Sequence, residues 1–207
     1  MKGKFVTFEG CEGVGKSRQL AMLVEYLNNT GVKFYLTREP GGSKISEQIR
    51  SVILDGKNTE MSGACEALLY AAARVQLLDE IIKPKLDAGE LIFCDRYVDS
   101  SLAYQGVARG LGLEFVESIN SYALENFMPD LTIFLDLPPE MAFKRKGGVD
   151  KNDRVELSGM EFHNNVYKGY KMLCEKYPER FIAVDASGTK EETHEKIKKL
   201  LKDKKII

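Results

Sequence analysis

Short apolar runs alternate along the chain with segments whose apolar positions recur every three or four residues. Phe5-Val6-Thr7-Phe8 reads as a buried strand, and glycines follow it at once. From Ser17, the spacing of Leu20, Val24 and Leu27 predicts a helix that Asn28, Asn29 and Gly31 end. Residues 33–37 predict a second strand, and Pro40-Gly41-Gly42 then breaks the chain. Ser43 is placed to cap a helix with Ile45, Ile49, Val52 and Ile53 on one face, and after Met61 a longer helix carries Leu68, Ala72 and Val75 in register. Residues 91–94, 131–135 and 181–184 predict three further strands. Helical patterns fill 99–126, with an interruption at 106–112, and recur around Phe162, Val166, Tyr170 and Leu173 and over 190–202. This alternation predicts an α/β fold in one domain, 1–207: a five-stranded parallel sheet with helices on both faces. Strands apolar nearly throughout fit central positions in such a sheet.

One stretch fits no packed element. Residues 144–156 read KRKGGVDKNDRVE, with Val149 and Val155 the only apolar side chains. A solvated loop accounts for that composition. Its place after the fourth strand and a short helix favours a short lid that brings cations to phosphates.

Composition narrows the partners. Thirty basic residues against 31 acidic ones leave a net charge of −1, which argues against a nucleic-acid coat but not against a small phosphorylated ligand. No apolar run approaches the roughly 18 residues of a membrane span, so no membrane partner is expected. The four cysteines, Cys11, Cys65, Cys94 and Cys174, lie far apart with no C-x-x-C pair. With an N-terminus that does not resemble a signal peptide, they read as reduced thiols in a cytoplasmic protein. His163 and His194 have neither metal nor triad spacing.

The chemistry begins at Gly10-Cys11-Glu12-Gly13-Val14-Gly15-Lys16-Ser17, which satisfies G-x-x-x-x-G-K-[ST] between a predicted strand and a predicted helix. Glycines let successive N–H groups point at an anion, and the helix N-terminus adds partial positive charge. Lys16 would reach the β- and γ-phosphates of a nucleoside triphosphate, and Ser17 would offer a hydroxyl to Mg²⁺. Such a loop implies nucleoside triphosphate binding without specifying the reaction. Asp95-Arg96-Tyr97 follows the third predicted strand, at the sheet end where open parallel sheets bind ligands. There Asp95 would hold Mg²⁺ or its water and Arg96 would clamp an acceptor phosphate, although a strand-end ion pair has the same appearance. Arg38, in Thr37-Arg38-Glu39-Pro40-Gly41-Gly42, adds a second cation on that rim. Two arginines beside a phosphate loop suggest a second phosphorylated molecule.

FEGCEGVGKSRQ, TREPGG, DRYVDSSLAYQG and the later DRVE, in that order, resemble the motifs of the thymidylate kinase family over about residues 4–184. The resemblance implies a P-loop kinase fold, usually in a homodimer, with ATP and dTMP as partners. It implies that Glu9 lies near the acceptor sugar and the metal, that Arg38 and Arg96 hold the dTMP phosphate, and that Asp95 sits between the metal and the phosphoryl groups. Tyr70 and Arg74, four apart and so on one helix face, match the ring that stacks on thymine and the arginine that meets its carbonyl. Ser100, Ser101, Tyr104 and Gln105 fall where the family approaches the base and sugar, with Tyr104 excluding a 2′-hydroxyl by bulk.

The family places a catalytic cation in the phosphate loop or in the lid. This loop carries Glu12, so the lid is expected to supply it, from Arg145, Lys146, Lys151 or Arg154. Arg154 is the choice for the transferring phosphoryl and Arg145 for the adenine. Gly147-Gly148-Val149 replaces the family's R-x-R-G-like stretch, and Arg18 stands where Thr is usual. Another nucleotide or nucleoside acceptor remains open on these grounds. A nucleotide-dependent switch is disfavoured, because it needs no acceptor-side arginines and the chain has no N-K-x-D.

Overall fold

The computed structural model describes residues 3–148 and 153–207. In chain order the elements are β1 (Lys4–Glu9), α1 (Lys16–Thr30), β2 (Tyr35–Arg38), α2 (Lys44–Leu54), α3 (Gly63–Leu77), α4 (Lys83–Asp87), β3 (Leu91–Asp95), α5 (Val98–Ser101), α6 (Leu113–Ile119), α7 (Ser121–Asn126), β4 (Leu131–Asp136), α8 (Pro139–Lys146), α9 (Met160–Lys176), β5 (Phe181–Asp185) and α10 (Lys190–Asp203). Two π-helical stretches, Leu78–Ile82 and Leu102–Ala108, link α3 to α4 and extend α5. All five strands pair in parallel in the order β2-β3-β1-β4-β5.

Alternation along the central strands explains the helices on both faces. Phe5, Ile92 and Cys94 pack with Leu77, Leu78 and Ile82 on one side. Val6, Phe8 and Phe93 pack with Leu20, Leu23, Leu27 and Leu173 on the other. Both pleat faces are therefore apolar and covered, as the strand compositions require. Thr7 and Thr132, buried in β1 and β4, satisfy each other by a hydroxyl–hydroxyl bond of 2.9 Å.

The helix ends follow local rules. Gly31 closes α1 at φ 73°, and Thr189 with Glu192 forms a capping box on α10. Ser43 stands at the expected cap position of α2, but its hydroxyl pairs with that of Ser46 instead of a backbone N–H.

The apolar stripes predicted on the second and third helices are in part turned outward. Ile45, Val52, Leu68 and Val75 are 48, 46, 51 and 37% exposed. Ile53 of α2, and Ala67, Ala71 and Arg74 of α3, are buried instead. The buried faces of α2 and α3 pack chiefly against each other, which leaves the second stripe of each outward.

Candidate active site

The order β2-β3-β1 sets three strand ends side by side, with Arg38 in register with Asp95 and Asp95 with Phe8. The loop after β1 is held open by glycine geometry. A Cβ on Gly13, at φ 78°, would sit 2.7 Å from the backbone oxygen of Ala142, and Gly15 starts α1 at φ 99°.

Among the cavities that open from this rim, two share Glu12 and Lys16. The larger, about 760 Å³, is walled by residues 12–19, Arg145, Lys146, the 186–188 turn, Lys190 and Thr193. The smaller, about 250 Å³, is walled by Arg38, Glu39, Arg50, Tyr70, Asp95, Arg96, Ser100, Ser101, Tyr104, Gln105, Asp153 and Val155, among others. Glu12, Lys16 and Ser17 belong to both walls.

Arg96 organises the rim. It adopts φ 67°, uncommon for a residue with a side chain, and its N–H donates to Phe8 O at 2.9 Å. Its guanidinium donates to Gly10 O at 2.9 Å and Tyr170 Oη at 3.1 Å, and pairs with Glu12. Burial alone would raise the Glu12 carboxyl, but the charges of Arg96, Lys16 and Lys146 outweigh it and hold it at about 2. Lys16 folds back on its own loop, donating to Gly10 O at 3.2 Å. Burial, then the Arg96 charge, keeps it below the usual ammonium range. Arg38 is half-exposed and donates to both carboxylate oxygens of Glu47 at 2.9 Å.

Several expected residues stand elsewhere. Glu9 lines neither cavity: it is fully buried and accepts from Tyr97 N, Ser100 Oγ and Tyr170 Oη at 2.6–2.8 Å. Burial pushes its carboxyl up to about 7. Gly10 and Cys11 are also behind the wall, with Cys11 packed in the core. Arg74 is 1% exposed, and its guanidinium donates to Glu39, Asn120 and Ser101, so it meets the smaller cavity only through Glu39 and Ser101. Arg154, expected at the transferring phosphoryl, instead donates to Glu66 Oε2 at 2.6 Å and Ile53 O at 3.0 Å. Arg145 lines the larger cavity and donates to Ala186 O at 2.6 Å, and Lys146 lines it while paired with Glu156. Lys151 lies outside the described residues.

Two residues carried no legible signal. Arg50, in α2, adds a third guanidinium to the smaller cavity and donates to Pro40 O at 2.8 Å. Tyr170 looks like a core position at helical spacing, yet its hydroxyl bridges Glu9, Ser100 and Arg96. Asp153, the first residue of the DRVE stretch, also enters this wall.

A family model described as thymidylate kinase matches residues 8–197. The chain belongs to the thymidylate kinase family. It is 47% identical over 206 residues to a thymidylate kinase of Bacillus pumilus, covering 98% of this chain and 97% of that one. It is 45% identical over 203 residues to one of Clostridium novyi, covering 97% and 99%. A crystal structure of thymidylate kinase from Ehrlichia chaffeensis superposes with a TM-score of 0.79 at 29% identity, covering 98% of this chain and 99% of that one. As a thymidylate kinase family member the chain is a nucleotide-binding phosphotransferase, and its parallel sheet is that family's P-loop kinase fold.

Proposed function

We propose that the chain transfers the γ-phosphoryl of ATP to dTMP, giving ADP and dTDP, and that each expected residue acts from the wall on which it stands. One observation carries this reading: Glu12, Lys16 and Ser17 are common to both cavities. Two nucleotides entering from opposite sides therefore meet at the phosphate loop. In the larger cavity the loop N–H groups and Lys16 take the ATP phosphates, while Arg145 and the 186–188 turn take the adenine. In the smaller one, Arg38, Arg50 and Arg96 take the dTMP phosphate. Tyr70 offers a ring to the base, Ser101 and Gln105 offer polar groups, and Tyr104 fills the space beside the sugar.

An oxygen of the dTMP phosphate attacks the γ-phosphorus, and the bond to the β-phosphate oxygen breaks as ADP leaves with the electron pair. The acceptor oxygen is already anionic near neutral pH, so no general base is needed. Alignment and charge neutralisation supply the catalysis. Lys146 is the lid-side cation nearest this task, since it lines the ATP wall whereas Arg154 is held elsewhere.

The residues present fit a divalent ion. Asp95 Oδ1 is buried and has no partner among the described residues, and Ser17 stands exposed on the same wall. A carboxylate oxygen and a hydroxyl suit a hard cation. Mg²⁺ held there spreads the negative charge of the β- and γ-phosphates.

The outward stripe of Ile45, Val52, Leu68 and Val75 supports a homodimer through α2 and α3. An ADP-release assay with dTMP, dUMP, AMP, CMP and GMP tests the acceptor. Turnover is expected with dTMP, and turnover confined to purine acceptors rejects the reading.

A further inference from the structure

Glu66 has no exposed surface and lines neither cavity, yet its carboxylate serves three side chains on two segments. Oε1 accepts from Gln105 Nε2 at 2.8 Å and from Arg109 Nε at 3.3 Å. Oε2 accepts from Arg109 Nη2 at 3.1 Å and from Arg154 Nη2 at 2.6 Å. Gln105 stands in the wall of the smaller cavity. Arg154 sits between Asp153 and Val155, which stand in that wall too. The Arg154 N–H also donates to Leu54 O at 3.2 Å, so the segment is fixed by backbone and side chain together.

An ionised carboxylate only accepts hydrogen bonds. Burial pushes the Glu66 carboxyl up, but the hydrogen bond from Gln105, the charge and hydrogen bonds of Arg109 and the hydrogen bond from Arg154 outweigh it and hold it below the usual range. Gln105 must therefore present its NH₂ to Glu66. Its Oε1 is left without a partner among the described residues, on a side chain that is 2% exposed and part of the cavity wall. An amide locked in this sense offers an acceptor to the base. A 2,4-dioxopyrimidine carries an N–H at ring position 3, and a 4-amino-2-oxopyrimidine carries a lone pair there.

We infer that Glu66 is a positioning residue that sets the base preference of the acceptor cavity by fixing Gln105 as a hydrogen-bond acceptor, and that it secures residues 153–155 against the same cavity through Arg154. The inference rests on the dTMP reading above.

Steady-state kinetics of full-length E66Q with dTMP, dCMP and ATP test it. Glutamine both donates and accepts, so Gln105 is released to turn. KM for dTMP should rise about tenfold and the preference for dTMP over dCMP should fall about tenfold, with KM for ATP within about twofold. A folded E66Q that keeps the wild-type dTMP KM and preference overturns the inference. An equal rise in both nucleotide KM values, the mark of general loosening, overturns it as well. R154Q separates the two roles and decides the matter if E66Q does not fold. It leaves the Glu66–Gln105 bond intact, so it should raise KM for dTMP and leave the preference unchanged. An R154Q with wild-type KM, or with its preference lost, counts against the assignment. The wild-type arm reads the functional proposal separately: no turnover with dTMP sinks that proposal and takes this one with it.

Discussion

Glu12 and Arg96 neutralise each other across the phosphate loop, and the stability they share depends on pH in a definite direction. The Glu12 carboxyl is lowered from 4.5 to about 2. Its contribution is therefore present above the unfolded-state value and is lost as pH falls from about 5 toward 2. The shift bounds the effect at about 3 kcal/mol, and water reaching the pair reduces it. Urea unfolding of wild type and E12Q between pH 7 and 2 checks this. The wild type should lose stability more steeply below pH 5, and parallel curves would refute the pairing. Lys16 is the residue whose loss should matter most to turnover. K16A should lower kcat by at least about 10³-fold with the far-ultraviolet circular dichroism unchanged. Lys16, Ser17, Arg38, Asp95, Arg96 and Tyr70 were legible in the chain because a strand end or a helix register fixes where their backbone goes. Glu9, Arg74 and Arg154 were not, because their direction is set by partners distant in sequence: Tyr170 for Glu9, Asn120 for Arg74 and Glu66 for Arg154.

At the scale of elements, all five strands were legible, since a strand buried on both faces is a nearly unbroken apolar run. Helices were legible in place but not in orientation. Leu68 and Val75 recur at helical spacing yet stand exposed, and no described element buries them. If a second copy does, L68E/V75E should sediment with one chain's mass where the wild type sediments with two, and an unchanged mass would reject that interface. The π-helical stretch Leu102–Ala108 was also hidden. Its wide turns, such as Arg109 N donating to Tyr104 O at 2.8 Å, accompany the placement of Tyr104 and Gln105 on the same wall as Ser100 and Ser101. Composition carries no mark of such a turn.

For the whole molecule, one buried ion pair fastens the acceptor side to the far edge of the sheet. Arg180 donates to both oxygens of Asp99, at 2.7 and 2.8 Å, and Thr132 Oγ1 donates to Asp99 Oδ2 at 3.0 Å. Asp99 is fully buried and lines neither cavity. D99A should therefore cost about 3–5 kcal/mol in urea unfolding, because it strands the partly buried Arg180 charge. KM for ATP and dTMP should stay within about threefold, and a larger change would place Asp99 in the binding machinery.

The partition formed by Glu12, Lys16 and Ser17 also acts as a ruler. A single compound with adenosine at one end, thymidine at the other and a polyphosphate tether between them would occupy both chambers at once. Its grip should depend sharply on tether length, because a link too short leaves one end unseated and a link too long gives up the advantage of being joined.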